Sequence, residues 1–137
     1  MNKIDLVSSA MIGVDKIPVV NERALLKEGL DQMREKGLGV VCIVKKDGCL
    51  EAIFTDGDLR RLILNVHKPL SAFFMDDLID HAKRNPIVIN EDEPLEEAIS
   101  IMAKKRIWDF PVVSIDGKLK GLFHLHDGLD KFLRKKL

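Results

Sequence analysis

The chain has 137 residues, 46% hydrophobic and 32% charged, with 22 basic and 22 acidic side chains and no net charge. That suits one soluble domain or a tight pair of small repeats. It excludes the basic excess of a nucleic-acid binder, and no apolar run reaches the length of a membrane span. The first residues lack a signal peptide's apolar core, so a cytoplasmic location is expected.

Taken in order, the elements come twice. A lead-in from Ile4 to Ile12 offers Leu6, Val7, Met11 and Ile12 for packing. A strand is expected over 17–20, then a helix over 25–36 with Leu26, Leu30 and Met33 on its apolar face. Gly37 is a natural helix stop. Strands over 40–44 and 50–54 flank Asp47-Gly48, a two-residue hairpin turn. That turn sets Lys46 opposite Cys49 and Cys42 opposite Ile53, out of register for a disulfide, so two reduced thiols are expected. A helix over 56–64 closes the unit.

A connecting segment, 65–85, carries Leu70, Phe73, Phe74, Met75 and Leu78, too apolar for a free linker. The second unit then repeats the first: strand 87–89, helix 95–105 with Pro94 at its first position, strands 110–113 and 119–123 around Asp116-Gly117, helix 126–133. Asp47-Gly48 recurs at Asp116-Gly117, Met33 at Met102, Phe54 at Phe123 and Asp58 at Asp127, all 69 residues on. Pro18-Val19 recurs at Pro86-Ile87 after 68, which suggests one residue inserted or lost near the helix start. The expected architecture is α+β, two β-α-β-β-α repeats with boundaries 1–66 and 67–137. Neither repeat has a large core of its own, so the two should pack about a pseudo-twofold axis.

The strand-to-helix junction Ile53-Phe54-Thr55-Asp56-Gly57-Asp58 carries the chemistry. Thr55 and Asp58 have capping-box spacing. A helix start also presents free N–H groups and a positive dipole end that suit a phosphate. The junction therefore reads either as a well-capped helix or as a nucleotide site with the carboxylate on ribose hydroxyls. His124-Leu125-His126-Asp127 is better read as a helix cap with a partly buried histidine than as a metal cluster, for want of a further ligand. No nucleophile–base pair has supporting context and no Walker or dinucleotide glycine pattern occurs, so this chain is expected not to be an enzyme.

The tandem order, the Pro-Val and Pro-Ile openings, Phe110-Pro111-Val112-Val113, the two Asp-Gly hairpins and Thr55-x-x-Asp58 together resemble the CBS domain pair, or Bateman module, over nearly the whole chain. Ile53 to Arg61, with the His124 to Asp127 ending, looks like the C-terminal CBS pair of bacterial arabinose 5-phosphate isomerases. The resemblance implies a regulatory, non-catalytic module without a required cofactor. It would bind an adenine nucleotide (AMP or ATP) or a sugar nucleotide such as CMP-Kdo. It would form homodimers and act on an attached or partner sugar isomerase of the Kdo and lipopolysaccharide pathway. A CBS pair of a sugar nucleotidyltransferase, or a dimerisation module without ligand, are the alternatives.

Carried onto this sequence, one cleft uses Thr55 and Asp58 with Ile53, Leu38, Gly39 and Val40. The other uses Asp127, Leu122, Ile107 and Trp108, but has His124 where threonine is expected. Trp108 is expected to cover the rim of the core in preference to stacking on a base.

Overall fold

The computed structural model describes residues 4–136. In chain order it contains β1 (Ile12–Gly13), β2 (Val19–Asn21), α1 (Leu26–Lys36), β3 (Val40–Val44), β4 (Leu50–Thr55), α2 (Asp56–Asn65), α3 (Leu70–Phe73), β5 (Lys83–Arg84), β6 (Ile89–Asn90), α4 (Leu95–Lys105), β7 (Asp109–Val113), β8 (Leu119–His124) and α5 (Leu125–Lys136). Among the described residues no helix is long and apolar enough to cross a membrane.

Two compact units result, and they exchange their lead-ins. One is Lys16–Pro86. The other joins the chain before Lys16 to the chain from Ile87 onward. The repeat boundary at 66/67 is therefore a boundary of sequence, whereas the contacts divide the chain elsewhere.

In the Lys16–Pro86 unit the sheet order is β2-β3-β4-β5, with β2 parallel to β3 and the rest antiparallel. Val41, Ile43, Ala52 and Phe54 point to one face of this sheet and form the core with Leu26 and Met33 of α1. Phe73 and Leu78 of the connecting segment complete that core, both about 1% exposed. The segment is pinned by its backbone: Leu26 N–H donates to Asp76 O (2.8 Å), and Leu78 N–H to Ala24 O (2.9 Å).

The other unit has the order β1-β8-β7-β6. Its core gathers Leu95, Ala98 and Met102 of α4 against Phe110, Val112 and Phe123. Val7 of the lead-in is part of it, fully buried.

The hairpin turns differ from the two-residue reading. Gly48 N–H donates to Lys45 O and Lys45 N–H to Cys49 O, both at 2.9 Å, so the loop is Lys46-Asp47-Gly48 with Gly48 at φ 88°. This is a three-residue loop with glycine in the left-handed position. A register shift between Ile43 and Val44 then absorbs the odd residue, and Cys42 still faces Ile53. The second hairpin does the same at Ser114–Lys118, with its shift between Val112 and Val113.

The 68-residue offset of the two prolines is also relocated. Val20 pairs with Ile43 and Ile89 with Val112, both at the common offset of 69. The one-residue difference thus lies before the opening strands and not near the helix starts.

Candidate functional site

α2 starts directly where β4 ends, with Thr55 as its N-cap. Asp58 N–H donates to Thr55 Oγ1 (3.2 Å), while Thr55 N–H donates to Asp58 Oδ2 (2.9 Å). Each side chain thereby satisfies the other's orphan backbone donor. The Thr55 hydroxyl also donates to Asp58 Oδ2 at 3.1 Å. α1 has only half of this device: Leu25 N–H reaches Glu28 Oε1 at 3.4 Å, but Leu25 has no side-chain acceptor.

The first sequence-predicted set comes together at this corner. Val40 pairs with Thr55 and Cys42 with Ile53, so Val40, Ile53 and Thr55 share the sheet face opposite the α1 core. Gly39 joins from the mouth of β3, because Asp56 N–H donates to Gly39 O (3.0 Å). A Cβ on Gly39 would overlap the Asp56 carboxylate, so glycine is what lets that carboxylate lie against the mouth of β3. An open groove of about 370 Å³ lies alongside, lined by Leu38, Gly39, Met33, Arg34 and Asp56. Arg34 and Asp56 were not singled out by sequence, which gave no reason to connect the end of α1 with the start of α2.

Asp58 has a third partner. Arg61 Nη2 donates to Asp58 Oδ1 at 2.6 Å, between an arginine side chain 61% exposed and an aspartate side chain 17% exposed.

In the other unit the equivalent corner has the same backbone and different chemistry. Leu125 N–H donates to Trp108 O at 2.8 Å, matching Asp56 and Gly39. His124 replaces Thr55, and its Nδ1 lies 2.6 Å from Asp109 Oδ1 across the β7–β8 pair. Leu122 is covered, at 1% exposure, and Ile107 packs against the core. Asp127 lies in the first turn of α5. Trp108 does not cover the core rim as expected: it is 66% exposed. It lies between the left-handed turn at Arg106, where α4 ends, and the start of β7 at Asp109. Among the described residues no cluster of three or more His, Cys, Asp or Glu side chains could hold a metal.

Cys42 and Cys49 form no disulfide. Burial pushes the Cys42 thiol from its ordinary 9.0 up to about 12, so it is an inert core residue.

The chain matches the CBS domain family model twice, over residues 7–65 and 76–134. An uncharacterized protein of Rickettsia prowazekii is 31% identical over 121 residues, 88% of this chain and 36% of its own length. Arabinose 5-phosphate isomerase KdsD of Escherichia coli is 30% identical over 113 residues, 82% of this chain and 33% of the enzyme. The chain thus spans about a third of the length of the curated relatives it matches. Among solved structures, the CBS-pair protein CBSX2 from Arabidopsis thaliana superimposes with a TM-score of 0.83 at 21% identity, over 98% of both chains. CBSX2 in complex with AMP gives 0.82 at 23% identity, over 96% of this chain and 98% of that one. Two family matches that account for most of the sequence, on two repeats of one architecture, show that the chain belongs to the CBS domain family and is a tandem CBS pair.

Proposed function

We propose that this CBS pair is a regulatory module that binds an adenine nucleotide at the Thr55–Asp58 corner. It modulates an attached or partner sugar-phosphate isomerase of the arabinose 5-phosphate class, in the Kdo and lipopolysaccharide pathway. The observation that carries the site is the Asp58 carboxylate, held half-buried at the first turn of α2 by the amide and hydroxyl of Thr55. A carboxylate there accepts from ribose hydroxyls, while Gly57 N–H and the positive end of the helix dipole receive phosphate. The AMP bound by CBSX2 supports the adenine nucleotide. The isomerase partner is supported by the arabinose 5-phosphate isomerases KdsD and GutQ among the relatives. In this reading the isomerase chemistry belongs to a separate catalytic domain. The corner with Asp127, His124, Leu122, Ile107 and Trp108 is the lesser site, because His124 is already committed to Asp109.

The test is a set of thermal shifts for wild type, Asp58→Ala and Asp127→Ala with AMP, ADP, ATP, CMP and CMP-Kdo. Adenine nucleotides are expected to raise the melting temperature of wild type and Asp127→Ala. Asp58→Ala should lose about 1.5–3 kcal/mol of binding with its charge-assisted hydrogen bonds. A shift with CMP-Kdo alone would overturn the ligand class, and binding abolished by Asp127→Ala only would move the site to the other unit.

A further inference from the structure

The Asp58 carboxylate that the proposed site needs is not idle. Oδ2 accepts from both the amide and the hydroxyl of Thr55, and Oδ1 accepts from Arg61 Nη2. A carboxylate offers about four lone-pair positions. With three taken, one remains, and a ribose diol donating two hydrogen bonds needs two. The Thr55 bonds belong to the helix cap and stay. The bond that can yield is Arg61, on a long side chain that is mostly in solvent.

Arg61 also occupies the place a phosphate would take. A Cβ placed on Gly57 would stand 3.4 Å from Arg61 Nη1 and 3.6 Å from Nη2, so the guanidinium lies over the first turn of α2. Of that turn's amides Asp56 N–H goes to Gly39 O and Asp58 N–H to Thr55 Oγ1, which leaves Gly57 N–H, beside the guanidinium, for a ligand. One side chain therefore covers both halves of the site: the carboxylate meant for the ribose and the Gly57 end of the helix meant for the phosphate.

From this we infer that Arg61 is a phosphate-released latch that makes the site selective for nucleotides over nucleosides. This inference rests on the reading of the Thr55–Asp58 corner as an adenine nucleotide site. A nucleoside must displace the guanidinium from Asp58 and gives it no new anion. A nucleotide displaces it and offers the phosphate as the replacement partner, in the fork geometry that guanidinium prefers. Arg61 is thus a specificity-determining residue whose removal acts with opposite sign on the two ligands.

The experiment measures adenosine and AMP affinities for wild type, Arg61→Ala and Arg61→Lys by isothermal titration calorimetry, with each protein's melting temperature recorded without ligand. In Arg61→Ala, adenosine should bind about two- to five-fold more tightly, since an exposed ion pair no longer competes. AMP should bind about ten-fold more weakly or worse, for loss of a charge-assisted contact. Arg61→Lys keeps the charge without the fork and should give an AMP-to-adenosine ratio between the two. If wild type binds AMP and Arg61→Ala leaves that ratio unchanged, or weakens adenosine together with AMP, the latch is wrong while the site survives. If wild type binds neither ligand, the nucleotide reading fails and the latch falls with it.

Discussion

Gly121→Ala probes how the lead-in is held to its unit. Gly121 of β8 lies opposite Gly13 of β1. A Cβ at Gly121 would overlap the Ile12 carbonyl oxygen and stand 3.2 Å from the Ile12 carbonyl carbon and 3.0 Å from Met11 Sδ. The methionine sulfur can swing aside. The carbonyl belongs to a paired strand and moves only if the Ile12–Leu122 and Gly13–Gly121 pairings open. The lead-in has a second, separate anchorage: Val7 N–H to Glu93 O at 2.9 Å, Ser8 N–H to Glu91 O at 3.1 Å, and Leu95 N–H to Asp5 O at 2.9 Å. The damage should therefore stop at β1 and leave Val7 buried, which puts the cost near the usual overpacking range, about 2 kcal/mol. The equivalent residue, 69 earlier, is Ala52, fully buried and paired with Arg84 of β5. An alanine is thus compatible with the strand itself, and only the neighbour forbids it. Urea denaturation measures the loss, and amide hydrogen exchange at Ile12 and Gly13 locates it. A loss below about 0.5 kcal/mol with both amides still protected would refute the steric argument.

Two further predictions concern pH and assembly. In the unfolded chain Cys42 ionises near its ordinary 9.0, whereas the folded thiol is held to about 12, so its contribution to stability is full below pH 9 and declines as pH rises from 9 toward 12. The melting-temperature advantage of wild type over Cys42→Val should shrink across that window, and parallel curves would count against it. The chain should also form a homodimer through its unit-closing helices, since α2 exposes Ile63 and Leu64 and α5 exposes Leu129 and Leu133. Light scattering at high micromolar concentration should give twice the chain mass, reduced by Leu64→Glu; a wild-type monomer would sink this.

What sequence made legible was whatever depends on local spacing. The apolar positions of α1 and α4 recur at helical intervals, and the α4 bounds at Leu95 and Lys105 follow from them directly. Strand starts were less legible: β2 begins at Val19 and β6 at Ile89, two residues later than expected. Register was right for a compensated reason, since the three-residue loop and the one-residue shift in β3 cancel by Cys42. The paired Asn21 and Asn90 escaped notice altogether. Their Oδ1 atoms accept from Arg23 N–H (2.8 Å) and Asp92 N–H (2.9 Å), turning the chain into each first helix. Aligning the repeats on their prolines hid that equivalence. Arg106 was equally illegible: it takes the left-handed place of Gly37, φ 54° against 70°, with no glycine to announce it.

The same division explains the site. Thr55 and Asp58 are three apart, so their mutual capping needs no knowledge of the fold. Asp58 and Arg61 are also three apart on one helix, a spacing that brings opposite charges together, so this pair was readable from sequence. The His124–Asp109 pair was not, because it needs the β7–β8 register, which a one-residue shift would have turned to the other face. The backbone bond from Asp56 to Gly39 is repeated by Leu125 to Trp108 to within 0.2 Å, as 3.0 against 2.8 Å. Those bonds hold strand to helix in both units and are indifferent to side chains. Substitution at the corner can therefore exchange threonine for histidine, aspartate for leucine and glycine for tryptophan without disturbing the fold. Side chains at the corner are where the two repeats part: Thr55, Asp56 and Gly39 in one stand where His124, Leu125 and Trp108 stand in the other.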